Sequence, residues 1–86
     1  MSVGIETAAN VTVTDVVRRI LEARSIAQSV QSHDDLREAG LTSLDMVSLV
    51  LSVESEFGIK IPERDITPTN FRSIATIEIL VARLQR

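Results

Sequence analysis

Two glycines, Gly40 and Gly58, bracket the segment that most constrains the fold. Between them the chain reads "LTSLDMVSLVLSVESEF", rich in Leu and Val and free of proline and glycine. Thr42-Ser43-Leu44-Asp45 opens it with the pattern of a capping box, a hydroxyl followed three residues on by an acid. Gly58 closes it, as a left-handed residue closes a helix. The segment predicts a helix over 43–57. Thr42 is expected at the N-cap and Asp45 at the third helical position, which leaves the Ser43 hydroxyl outside the box. A negative group bound or attached there would meet the positive end of the helix dipole and unpaired backbone amides.

At about 100° per residue this helix carries two apolar stripes. Met46, Leu49, Val50, Val53 and Phe57 form one, read as the core face. Leu44, Val47 and Leu51 form the other, roughly 140° away. Two readings of the second stripe stand. The helix is central and packs on two neighbours, or the stripe is an exposed patch for a partner beside Ser43.

The rest of the chain is also helical in pattern. "TVTDVVRRILEAR" opens on a second capping box, Thr12 to Asp15, and repeats Val13, Val16, Val17, Ile20 and Leu21 on one face. "SIAQSVQSHDDLREAG" reads as a long polar connection with isolated apolar residues, Ile26, Val30 and Leu36. After Gly58, "IKIP" alternates as an extended segment does, "PERD" makes a single short turn, and "TPTN" is a loop. In "FRSIATIEILVARLQR", Ile74, Ile77, Leu80, Val81 and Leu84 recur at helical spacing behind Ser73 as N-cap. Residues 1–11 show no period and read as a frayed tail; 12–86 read as a single domain. The fold class is all-α, three principal helices plus a short one, with a long first loop.

With 86 residues, such a domain has a thin stability margin. The only aromatics are Phe57 and Phe71, so the core is aliphatic. The net charge of −3 suits neither nucleic acid nor an anionic membrane. No apolar run approaches the ~18 residues of a membrane span, no signal peptide is visible, and a cytoplasmic protein is expected. Cysteine is absent, so the chain has no thiol of its own. Its only histidine, His33, lies in the long loop beside Asp34 and Asp35, and is read as a solvated residue. A hydrolase built on Ser43 and His33 would lack an oxyanion motif and a pocket. The acids Asp34, Asp35 and Glu38 lack calcium-loop spacing, and no metal site is expected. Arg18, Arg19, Arg24, Arg83 and Arg86 are too dispersed for a nucleic-acid patch.

Gly40-Leu41-Thr42-Ser43-Leu44-Asp45, the apolar helix after it and "EFGIKIP" resemble the acyl carrier protein family. The resemblance spans residues 12–84. It implies a four-helix bundle with a short third helix. It implies that Ser43 carries 4′-phosphopantetheine, attached by a phosphopantetheinyl transferase, and that the arm supplies the missing thiol. Acyl groups would ride there as thioesters, presented to a downstream acceptor enzyme by a protein that is no enzyme itself. Leu44, Val47, Leu51, Asp45 and Glu54 are the expected partner-binding residues, and a monomer is expected. Two departures stand out. Thr42 replaces the family's usual aspartate, and Ser48 and Ser55 occupy positions that are often acidic in fatty-acid carriers. The chain is therefore more similar to specialised carriers, including those loaded with an amino acid by a dedicated ligase that resembles a transfer-RNA synthetase. The alternative is a small helical adaptor that binds a partner through the same helix with no prosthetic group.

Overall fold

The structure, a computed structural model, describes residues 11–27 and 29–85. Apart from Val11, the expected tail lies outside the described residues. Among them stand three α-helices, α1 (Val13–Ala23), α2 (Ser43–Phe57) and α3 (Ile74–Leu84), one 3-10 turn (Glu63–Asp65), and no strand.

Each α-helix begins where a local acceptor takes up its first amides. The Thr12 hydroxyl accepts the Asp15 amide at 3.1 Å, and Asp15 Oδ2 accepts the Thr12 amide at 3.1 Å. Ser73 caps α3 in the same reciprocal way, with Thr76 in place of an acid. At the far end of α1 the chain makes a full Schellman motif: Ile26 N–H donates to Leu21 O at 2.9 Å and Ser25 N–H to Glu22 O at 3.0 Å. Ser25 takes the left-handed position, φ +57°, where glycine is usual. Gly58 ends α2 at φ +62°, as its sequence position predicts.

The core is aliphatic with one buried ring. Val13, Val16, Val17 and Leu21 of α1 meet Leu49, Val50 and Val53 of α2 and Ile74, Ile77, Leu80 and Val81 of α3. Helix α1 is the one the other two share. The central position considered for α2 therefore belongs to α1. The second stripe of α2 stays outside, with Leu44 79%, Val47 56% and Leu51 59% exposed. Phe57, expected to close the core face of α2, is only half-buried at its edge. Phe71, in the connection before α3, is the buried ring.

The long loop is less loose than its polarity suggests. Leu36 is completely buried, and its amide donates to Arg72 O at 2.8 Å; Ala75 N–H donates to Ser32 O at 2.9 Å. These bonds tie the loop to the start of α3 and fix where it delivers the chain to α2. Gly40 is required in this delivery. Its φ is +120°, and a Cβ there would lie 3.3 Å from Ile26 Cδ1. The short element after Pro62 stays a single 3-10 turn because Pro68 has no amide and biases Thr67 away from the helical region. Beyond it the chain turns on Thr67, whose hydroxyl accepts the Asn70 amide at 3.1 Å.

Candidate functional site

Two adjacent hydroxyls at the start of α2 have different partners. Thr42 is the extended N-cap, at φ −92° and ψ 178°. Its Oγ1 accepts the Asp45 amide at 3.3 Å and donates to Asp45 Oδ2 at 3.0 Å, while its own amide donates to the same Oδ2 at 2.7 Å. Thr42 O accepts the Met46 amide at 3.0 Å. Ser43 is the first helical residue and is exposed. The amides of Ser43 and Leu44 precede the helical ladder and have no carbonyl one turn back to bond. A nucleophilic oxygen therefore stands free at the positive end of α2. His33 is also exposed, in the long loop, and makes no hydrogen bond to Ser43 among the described residues. Nor do those residues include a cluster of acids and histidine suited to a metal ion.

Asp45, expected at the partner face, turns inward instead: only 7% of it is exposed. The capping box requires its carboxylate to point back at Thr42, and the Arg24 guanidinium from the end of α1 closes on Oδ2 from the other side. These bonds favour the charged form. The Thr42 amide foremost, then Arg24, holds the Asp45 carboxyl below its ordinary value of 3.8. A group stabilised as its anion strengthens the fold above the unfolded value and loses that contribution as pH falls through the lowered folded one. Asp45→Asn should therefore be less stable than the wild type at neutral pH. The gap in urea midpoint should narrow as pH drops below 3.8 and Asp45 itself protonates. A gap that stayed constant down to strongly acid pH would show that charge plays no part.

Glu54 and Glu56 are engaged as well. Glu54 Oε2 accepts the Ile61 amide at 2.8 Å and so pins the extended segment after Gly58 against α2. Glu56 pairs with Arg19 of α1 at 3.0 Å. All three carboxylates of α2 thus have partners within the chain. Apart from Glu56, which is paired with Arg19, what the helix offers outward is apolar or hydroxylic: Ser43, Leu44, Val47, Ser48, Leu51 and Ser55 are exposed.

Contrary to the expectation that so small a domain has no room for a pocket, a groove of about 630 Å³ runs beside Ser43, between α2 and the segment from Lys60 to Phe71. Val47 and Leu51 form one wall, and Ile66, Pro68 and Phe71 the other. The α2 wall was legible as a stripe. The opposite wall was not, because "DITPTNF" has no period and only the fold lays it beside α2. Arg24 gave no local signal either, since its partner lies across a loop.

A family model described as the phosphopantetheine attachment site matches residues 11–84. Aminoacyl carrier protein 1 of Bradyrhizobium diazoefficiens is 47% identical over 66 residues, covering 77% of this chain and 73% of that protein. Among solved structures, one is a Bradyrhizobium japonicum glycine:carrier protein ligase complexed with its cognate carrier protein and an analogue of glycyl adenylate. A chain of that complex matches with a TM-score of 0.71 and 39% identity, over 83% of this chain and 96% of its own length. The same ligase complexed with glycylated carrier protein matches at a TM-score of 0.69 and 39% identity, over 79% and 96%. An exposed helix-start hydroxyl with free amides suits an anionic phosphodiester, and the family match runs through the whole segment that builds it; the chain belongs to the phosphopantetheine-attachment family of carrier proteins.

Proposed function

We propose that Ser43 carries the 4′-phosphopantetheinyl group and that the cargo is an amino acid, loaded by a dedicated amino acid:carrier protein ligase and passed to an acceptor enzyme. The observation that carries the reading is the contrast between neighbours: the Thr42 hydroxyl is engaged as acceptor and donor, and Ser43 is exposed outside the box. The prosthetic group would supply a terminal thiol able to hold an acyl group as a thioester. Ser43 would supply the oxygen that bonds to phosphorus as the pyrophosphate bond of coenzyme A breaks and adenosine 3′,5′-bisphosphate leaves, the helix-start amides would face the phosphodiester, and Thr42 and Asp45 would keep that turn wound. The Ser43 hydroxyl gives up its proton in that step, and no side chain of this protein is hydrogen-bonded to it among the described residues, so the transferase or solvent is read to take it. An amino acid as cargo is supported by the likeness to an aminoacyl carrier protein and to a carrier crystallised in its glycylated form.

We read residues 12–86 as one monomeric, cytoplasmic carrier domain, with the Glu63–Asp65 turn as counterpart of the short third helix of a four-helix carrier bundle. No helix among the described residues is long and apolar enough to cross a membrane. The test is intact mass after incubation with coenzyme A and a promiscuous pantetheinyl transferase. Gain of one phosphopantetheinyl mass, located on Ser43 by peptide sequencing, is expected. No gain would leave the adaptor reading.

The ligase is read to dock on Leu44, Val47 and Leu51. Single exposed apolar residues mean little, but three along one helix beside the attachment point make a patch. With the α2 acids paired internally, association should depend weakly on salt. Val47→Asp is expected to melt near the wild-type temperature and accept the prosthetic group, yet lose at least about tenfold in ligase loading, the effect of a charge at an apolar contact. Normal loading by a normally folded variant would move the docking surface elsewhere.

A further inference from the structure

The modified turn is held from outside α2, by the end of α1. Arg24 is the C-cap residue of α1, and the Schellman motif behind it fixes its backbone: Arg24 N–H donates to Ile20 O at 3.1 Å, and the Ser25 and Ile26 amides close the motif. From that anchored position its guanidinium reaches Asp45 Oδ2, across a separation of 21 residues. A second tether lies alongside. Ile26 packs over Gly40, where a Cβ would lie 3.3 Å from Ile26 Cδ1, closer than ordinary contact. Ile26 thus fixes the approach to Thr42, and Arg24 fixes the acid that folds back onto Thr42. The two contacts flank Ser43 from either side in sequence.

Building on the reading that Ser43 is modified, we infer that Arg24 is a positioning residue for that modification, acting through Asp45 to hold the first turn of α2 in the geometry that presents Ser43 Oγ. Arg24 is 45% exposed in its side chain, so its removal opens no cavity. Asp45 is the sole link between Arg24 and the capping box, and its Oδ2 is the shared acceptor of Arg24, the Thr42 amide and the Thr42 hydroxyl. Without Arg24 the box keeps its local bonds and the Ile26–Gly40 contact beside it, but loses its side-chain tie to the end of α1. The turn then frays, while Leu44, Val47 and Leu51 still offer their apolar surface along the helix. Docking survives and in-line attack suffers, since small displacements of a reacting atom cost up to ~10²-fold.

The experiment is a double-mutant cycle on the full chain. Transferase kinetics with coenzyme A are measured for wild type, Arg24→Gln, Asp45→Asn and the double variant, at a temperature where circular dichroism shows each to be folded. Arg24→Gln should lower kcat about tenfold with KM little changed, within the range that misplacement allows. The double variant should be no worse than Asp45→Asn alone, because the two act through one contact. Arg24→Lys, which retains a cation of similar reach, should recover most of the rate. In the unmodified protein, Arg24→Gln should speed hydrogen exchange at the Asp45 and Met46 amides, both held by Thr42, relative to amides late in α2. An unchanged kcat in folded Arg24→Gln, or losses that add in the double variant, would overturn the inference. If Arg24→Gln does not fold, Arg24→Met is measured in its place: the same fall in kcat supports the role and a wild-type kcat overturns it. A wild-type protein that gains no mass would instead remove the reading of Ser43, an outcome separate from any of these.

Discussion

Phe71→Ala should cost about 3–5 kcal/mol, the usual range for truncating a buried aromatic ring. In a small domain whose whole stability is roughly 5 kcal/mol, that is most of it. The ring is 4% exposed and belongs to the core cluster with Leu36, Val50 and Ile61, and its outer edge lines the groove wall opposite α2. Its amide is bonded to Thr67 O at 3.1 Å, so the backbone cannot simply collapse into the space that the ring leaves. Phe57→Ala should cost less, because Phe57 is half-buried at the end of α2 and part of its ring already meets water. Urea titrations of the two variants decide the matter: the Phe71 variant should show much the lower midpoint at an unchanged slope. In thermal melts its midpoint should drop by at least ~12 °C. The opposite order would mean that the two rings have exchanged roles.

The pair of phenylalanines shows what kind of information the sequence holds. Helix starts are local. Thr12 with Asp15, Thr42 with Asp45 and Ser73 with its following turn are read within four residues, and all three caps form as expected. Gly58 as terminator is equally local. Apolar periodicity placed Leu49, Val50 and Val53 inside and Leu44, Val47 and Leu51 on another face, because the helix angle alone separates them. Whether the second face was covered depended on which helix the others share, and that is a property of the topology. The same holds for Phe57 and Phe71. Phe57 lies on the apolar face by angle but at the helix end, where few neighbours reach. Phe71 has no periodic context, and the tie of the loop to Arg72 is what draws it in. Asp45 and Glu54 were read as outward charges because helix angle says nothing of what a carboxylate bonds to. Arg24 and the Ile61 amide, distant in sequence, engage them. Ser43 was legible for the converse reason: its exposure follows from the capping of its neighbour, one residue away.

Ser43→Ala is expected to abolish prosthetic-group attachment completely while leaving the fold intact. The loss is absolute because the chain offers no second nucleophile in that geometry: the neighbouring hydroxyl of Thr42 is bonded on both sides within the cap. The fold survives because the Ser43 side chain is exposed and lies outside the capping box, and alanine is the best helix former. Thr42→Ala should behave in the opposite way. It removes the acceptor of the Asp45 amide, a loss of about 1 kcal/mol within a range of roughly 0.5–2. It leaves the bond from the residue-42 amide to Asp45 Oδ2, so half the box persists and attachment continues. The measurement is one intact-mass spectrum and one urea titration for each variant, after incubation with coenzyme A and transferase. Added mass should be absent with a normal midpoint for Ser43→Ala, and present with a lowered midpoint for Thr42→Ala. If Ser43→Ala still gained the group and peptide sequencing placed it on Thr42, the neighbouring oxygen would be the attached one. The capping box could not then form as it does here, since the hydroxyl that receives the Asp45 amide and donates to its carboxylate would be bonded to phosphorus instead.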